Sequence, residues 1–255
     1  VGERIDLNAD LGEAFGSYAM GADEAVLAYV TSANVACGFH AGDPIVIDRT
    51  VAHAVGSGVA VGAHPGHYDL RGFGRREITA EPTEVEADVL YQIGAVAAFA
   101  HAHGAHLTHV KPHGALYSQA ARDERLARAV ARAVARFSRD LALVGLAGSP
   151  TLRQAAEAEG LRFAAEAFTD RAYDAEGRLV PRSRPGALIA DPASAAARAL
   201  RIVRDRVVTS VEGVDVPMHA DTLCLHGDNP QALAVARAVR EALESAGVSI
   251  RALAA

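Results

Sequence analysis

The chain predicts an α/β fold of repeated strand-then-helix units, and three observations carry that prediction. Apolar, strand-like runs end in a histidine beside glycine or proline at four places, His40, His64, His113 and His226. Four helix starts pair an acid, amide or hydroxyl with proline, at Asp43-Pro44, Ser149-Pro150, Asp191-Pro192 and Asn229-Pro230. In such a pair the first side chain caps exposed N–H groups, and proline lacks the N–H that would be unpaired there. The stretch Ser32 to Pro44, SANVACGFHAGDP, shows the whole unit: an apolar run, Gly38, His40, a turn over Gly42 and the Asp43 cap. A right-handed succession of these units closes into a barrel or wraps an open sheet, presenting side chains at the carboxyl ends of its strands.

Composition bounds the rest. A chain of 255 residues suffices for one barrel or doubly wound domain, or for two small domains. No linker favours two, so residues 1–255 are read as a single domain. Half the residues are hydrophobic, many of them alanine, and only 5% are aromatic, so helices should approach the sheet closely. The net charge of −6 comes from mixed signs and offers no basic face to nucleic acid. Apolar runs break well short of the ~20 residues that a membrane span needs. The opening VGERIDLNADLGE enters an acidic motif at once and does not read as a secretory signal. Cys37 and Cys224 sit in apolar runs and read as buried thiols of a cytoplasmic protein, not as a disulfide or a metal pair.

In order along the chain, RIDLN (4–8) alternates as a strand and runs into a Gly-rich loop. Asp6, Asn8 and Asp10 then share one face, with Glu13 just beyond; the plainer reading is an edge strand with that face in water. A helix from Asp43 to about Gly56 offers Ile45, Ile47, Val51 and Val55 to the core. The strand 58–63 delivers His64, and DLRGFGRRE beyond it places Arg71, Arg75 and Arg76 around two glycines. Such a loop suits a carboxylate or phosphate, although a solvated turn paired with Asp69 and Glu77 fits the spacing too. Thr83 and Glu86 predict a capping box for a helix burying Val85, Val89, Ile93 and Val96, with surface histidines His101 and His103 at its end.

The strand 106–111 opens into KPHGALY. His109 and His113 have the spacing of a helical metal pair, but Pro112 and the β pattern argue against a helix. On a strand His109, Lys111 and His113 line up, and Lys111 reads as an electrostatic clamp for an anion. A helix over 123–139 puts Leu126, Val130, Val134 and Phe137 inward and its arginines outward. After the strands 141–147 and 161–168 comes a long irregular piece, Thr169 to Gly186, whose Asp170, Arg171, Tyr173 and Arg182 suggest an active-site arm. The strand 222–225 leads to His226 and Asp228, then a last helix carrying Val235, Val239 and Leu243, and 248–253 adds a further strand. Four histidines at equivalent joints point to one shared pocket rather than to scattered core positions.

The motifs DLNADLGEAFG, SANVACGFHAGDP, GAHPGHYDLRGFGRRE, YQIGA, HVKPHGALY, FTDRAYDAEGRLVPRS and LHGDNP resemble the LamB/YcsF family from Asp6 to about Gly247. Ala9 departs from the cysteine expected in many members, which argues against an essential thiol there. The resemblance implies a distorted (β/α) barrel similar to the glycoside hydrolase/deacetylase class. This family supplies the A-type subunit of the bacterial ATP-dependent 5-oxoprolinase. The implied reaction is hydrolysis of the lactam of 5-oxo-L-proline to L-glutamate, coupled to ATP hydrolysis, with two partner subunits of B and C type.

Such a reaction needs a carboxylate base, cationic clamps and donors to a developing oxyanion. Asp10 or Asp6 is the candidate base with Glu13 in reserve, and His40 and His64 orient water or donate protons. Lys111 and one of Arg75, Arg76 or Arg182 hold anions; Asn8, His113, Asp170, His226 and Asp228 complete the candidate binding set. The chain has neither G-x-x-x-x-G-K-[ST] nor G-x-G-x-x-G between strand and helix, so ATP and its Mg2+ are expected with the partners. A metal on this chain and homo-oligomerisation stay open. The rival readings are a metal-dependent deacetylase or amidase, with Asp10, His40 and His64 as ligands, and a non-catalytic substrate-binding subunit.

Overall fold

The computed structural model describes residues 3–18, 23–182, 184–225 and 231–253; His226, Asp228 and the Asn229-Pro230 start lie outside them. Its strands are β1 (Arg4–Leu11), β2 (Ser32–Ala36), β3 (Ala60–His64), β4 (Leu107–Val110), β5 (Ala142–Leu146), β6 (Arg162–Phe168), β7 (Val207–Thr209), β8 (Asp215–Pro217), β9 (Thr222–Leu225) and β10 (Ser249–Ile250). The helices are α1 (Asp23–Leu27), α2 (Pro44–Gly56), α3 (Pro82–Ala102), α4 (Gly114–Ala120), α5 (Glu124–Phe137), α6 (Pro150–Ala158), α7 (Pro192–Leu200) and α8 (Ala232–Ser245).

Seven strands form a closed parallel barrel in the order β1-β2-β3-β4-β5-β6-β9, and β9 returns to β1. The edge-strand reading of β1 therefore fails. Asp6 to Ala9 pair with β9 while Asn8 to Leu11 pair with β2, so the polar face of β1 points into the barrel. Its other face, Ile5, Leu7, Ala9 and Leu11, is buried in the main hydrophobic core. Arg4 and Ile5 pair with the short β10, which is what remains of the strand expected over 248–253. Ala142, Val144, Ala164 and Leu253 form a separate apolar cluster beside the early residues of β5 and β6. The strands β7 and β8 make an antiparallel hairpin apart from the barrel. Among the described residues, no helix is long and apolar enough to cross a membrane.

Local chemistry sets the helix starts. Asp43 accepts from the N–H groups of Ile45 and Val46, Ser149 from Leu152, and Asp191 from Ser194, each with proline at the start of the helix. For α3 the capping box is Glu81–Glu84, two residues ahead of the predicted Thr83–Glu86, because Pro82 takes the first helical turn. Glu86 instead binds Arg132 at 2.7 Å and Arg136 at 2.9 Å, so part of the arginine face of α5 ties two helices together.

Two expected core residues point outward: Ile45 is 79% exposed and Phe137 40%. Each sits at a helix end, where the apolar stripe has rotated off the barrel. In α2 the buried set is Val46, Ile47, Thr50, Val51 and Ala54.

Candidate functional site

The barrel interior is stocked with polar side chains in layers. Lowest lies Asp6, whose carboxylate accepts from the hydroxyls of Thr31 (2.7 Å), Ser32 (2.7 Å) and Thr222 (2.5 Å). Burial raises its pKa above the ordinary carboxylate range, and these three donors offset part of that rise. In the middle, Asn8 donates to Thr222 and accepts from Asn34 (2.7 Å), while Asn34 also donates to Asp10 (2.9 Å). His109 crosses from β4 and donates through Nε2 to Asn34 Oδ1 at 2.8 Å. Gly62 makes room for it, since a Cβ there would lie 2.2 Å from the ring. Burial, with Lys111 and His64 nearby, lowers the His109 pKa to about 3.

Above these sits Lys111, just past the end of β4 and 2% exposed. Its ammonium lies 2.9 Å from Asp10 Oδ1, 2.8 Å from Glu166 Oε1 and 3.2 Å from Asn8 Oδ1 and Cys224 Sγ. Burial alone would lower its pKa, but Asp10, Cys224 and Glu166 outweigh that and hold the group charged. The lysine is thus committed to internal carboxylates, and its charge positions Asp10.

At the top, three imidazoles and Glu13 converge. His64 ends β3, His40 follows β2, and His113 stands at the start of α4, so the His109/His113 spacing is not a helical pair. The rings of His40 and His113 stack at 3.7 Å and 4°, and His64 meets both edge-on. His113 Nδ1 lies 3.0 Å from His64 Nε2. Glu13 Oε1 is 3.6 Å from His113 Nδ1 and 3.7 Å from His40 Nε2, and Asp10 Oδ2 is 3.4 Å from His64 Nε2. Burial pushes the His40 and His113 pKa values well down, and the neighbouring imidazoles add to this.

Close backbone approach builds the walls. Gly74, with φ +62, passes so near that a Cβ would lie 2.7 Å from His40 Cβ and 2.8 Å from His113 Cδ2. Gln92 of α3 clasps Gly66 by its N–H and C=O, each at 2.9 Å, behind the His40 ring.

Of the predicted residues, the structure gathers Asp10, Glu13, His40, His64, Lys111 and His113 at the carboxyl ends of the strands, with Asn8 one layer below. Asp6 is not part of that group. It lies four residues back along β1, about 13 Å at roughly 3.3 Å per residue, and is closed off by its three hydroxyls. The two adjacent arginines separate. Arg76 forks onto Asp69, whose pKa this contact lowers, and so fastens its own loop. Arg75, an exposed residue, lies over the Phe73 ring at 4.9 Å.

The piece after β6 folds back on itself. Ala172 N–H donates to Ala187 O at 3.0 Å, and Phe168 N–H donates to the buried Tyr173 hydroxyl at 2.8 Å. Asp170 and Arg182 lie near Arg171 on this arm, and Asp170 is close enough to act on Cys224.

Sequence reasoning missed Glu166 and Asn34. The signal was present: one acid in FAAEAF and one amide in SANVA interrupt otherwise apolar strands.

A parallel barrel with a polar interior and an acid–histidine cluster at its strand ends defines a class: a (β/α)-barrel enzyme scaffold with its chemistry at the carboxyl face. Within that class, the chain belongs to the LamB/YcsF family, whose sequence profile matches residues 5–255. It is 56% identical over 252 residues to the A-type subunit of 5-oxoprolinase from Syntrophobacter fumaroxidans, covering 99% of both chains. To the corresponding 5-oxoprolinase subunit of Chloroflexus aggregans it is 57% identical over 247 residues, covering 97% of this chain and 98% of that one. The crystal structure of the lactam utilization protein from Thermus thermophilus superposes with a TM-score of 0.93 at 54% identity, over 98% of this chain and 100% of that one.

Proposed function

We propose that this chain is the lactam-opening subunit of a cytoplasmic 5-oxoprolinase, working with two partner subunits to convert 5-oxo-L-proline to L-glutamate. The observation that carries this reading is identity of 56–57% to proteins of that name over nearly the whole of both chains. An unstrained lactam is a poor electrophile, so ATP is spent on a partner, with Mg2+, to phosphorylate the amide oxygen. Water then adds to the ring carbon and the C–N bond opens as nitrogen gains a proton. A second water hydrolyses the resulting acyl phosphate.

In this reading Asp10 is the base that moves the proton. Lys111 and Asn34 hold its Oδ1 while Oδ2 faces His64. His64 and His113 line the site of the attacking water beside Asp10, and Arg75 receives the substrate carboxylate. Arg182 and Asp170 on the arm, with His226 and Asp228, complete the proposed binding set. A metal-dependent amidase is the second reading, favoured by the convergence of three imidazoles on Glu13.

The test is an assay of the purified chain with 5-oxoproline, ATP and Mg2+, before and after adding both partners. The expected result is no glutamate from the chain alone and steady formation from the assembled enzyme. Turnover by the isolated chain overturns the division of labour. Failure with partners that work beside a relative's subunit overturns the assignment.

A further inference from the structure

We propose that Glu13, His40, His64 and His113 form a binding site for one divalent transition-metal ion, with Zn2+ or Co2+ the fitting choices. The inference rests on the hydrogen-bond geometry of the rings and holds whether or not the substrate is a lactam. His64 Nδ1 lies 2.7 Å from the carbonyl of Lys111, and His113 Nε2 lies 2.9 Å from the carbonyl of Phe73. A carbonyl only accepts, so each of those nitrogens carries the proton. The opposite nitrogens, His64 Nε2 and His113 Nδ1, then present lone pairs to each other across 3.0 Å. Two lone pairs at that distance repel unless a proton or a cation lies between or beside them.

Three further observations favour the cation, and the carbonyl bonds themselves fit it. Both ring nitrogens of His40 are buried without a hydrogen-bond partner, although the ring stacks directly on His113. Glu13 brings a carboxylate oxygen to 3.6 Å and 3.7 Å from two of these nitrogens. One ligand atom from each of the four residues fits within 4.8 Å, against edges of about 3.3–3.5 Å in a tetrahedron of Zn–N and Zn–O bonds. The bonds from the distal N–H groups to backbone carbonyls are those that orient metal-binding imidazoles.

Charge agrees. Lys111 does not repel a cation here, because Asp10 and Glu166 take its charge. Asp10, Glu13 and Glu166 bring three carboxylates to the group around that one lysine. Three nitrogens and one oxygen suit borderline ions such as Zn2+ better than Mg2+ or Ca2+.

The experiment uses the full chain, stripped with a chelator and titrated with Co2+ and Zn2+. Metal content is read by elemental analysis, coordination by the visible Co2+ spectrum, and stabilisation by thermal melting. One ion per chain is expected, with a nitrogen-rich low-coordinate Co2+ spectrum. His40→Ala and Glu13→Gln should each weaken binding ten-fold or more. His103→Ala, which removes a surface histidine paired with Asp48, should leave it unchanged.

Binding that survives both site variants, or that His103→Ala abolishes, overturns the proposal. If the site variants do not fold, the wild type decides. An octahedral aqua-like Co2+ spectrum, or no stoichiometric ion, assigns the close nitrogens to a shared proton and overturns the metal. Glutamate formation plays no part in this readout, so failure here leaves the lactam assignment standing.

Discussion

Lys111→Met keeps the aliphatic stem and deletes one charge. In the folded protein that leaves Asp10 and Glu166 without their shared partner, and Glu166 is wholly buried. Breaking a buried ion pair from one side costs about 3–5 kcal/mol, because the remaining charge must be carried without compensation. In a domain of this size each kcal/mol moves Tm by roughly 2–4 °C, so a fall of about 6–20 °C is expected. The chain has no tryptophan, so urea unfolding is followed by circular dichroism and tyrosine fluorescence. Lys111→Met with Glu166→Gln removes the stranded charge and should recover about half the loss. A single variant costing less than about 1 kcal/mol, the range of exposed pairs, would refute the buried triad. So would a double variant no better than the single.

Three other outcomes follow from the same geometry. Asp10→Asn should fold normally and lower turnover of the assembled enzyme by about 10²–10⁴-fold; activity within a few-fold of wild type excludes Asp10 as the base. His109 is held neutral with a pKa of about 3, so below pH ~6.5 the unfolded chain binds a proton that the native protein refuses. Its contribution is therefore full above pH ~6.5 and falls by about 1.4 kcal/mol per unit as pH drops toward 3. Urea unfolding of wild type and His109→Gln from pH 7.5 to 4.5 should show the gap between them narrowing; parallel curves refute it. Gly74→Ala should cost about 2–4 kcal/mol, from the left-handed backbone and the crowding of His40 and His113. Its loss of activity should exceed what the unfolded fraction accounts for, as measured by turnover per folded molecule.

What the sequence made legible was local. An Asp-Pro or Ser-Pro start declares itself within four residues, and so does a strand with acid, amide and acid at alternate positions. Closure of the barrel was not legible, because the pairing of β1 with β9 joins residues more than 200 apart. Neither was the role of Glu166. A lone acid in a strand looks like a solvent-facing residue until the Lys111 ammonium, from another strand end, is placed 2.8 Å away. Arg75 and Arg76 are equivalent on paper. Only the position of Asp69 decides that Arg76 fastens the loop while Arg75 lies over Phe73. The cap of α3 failed for a related reason, since two acidic boxes overlap there and Pro82 selects the earlier one.

The pairing of β1 with β9 also bears on how the protein is made. Asn8 must wait for Thr222, 214 residues later, before that side of its strand has a neighbour. At roughly 5–20 residues per second, β1 stands on the ribosome with one side unpaired for about 10–40 s. An apolar strand so exposed would recruit other nascent chains edge to edge, and inward-pointing charges are the usual defence. Asp6 and Asp10 are such charges, so carboxylates that end inside the closed barrel would first keep β1 from pairing with other chains during synthesis.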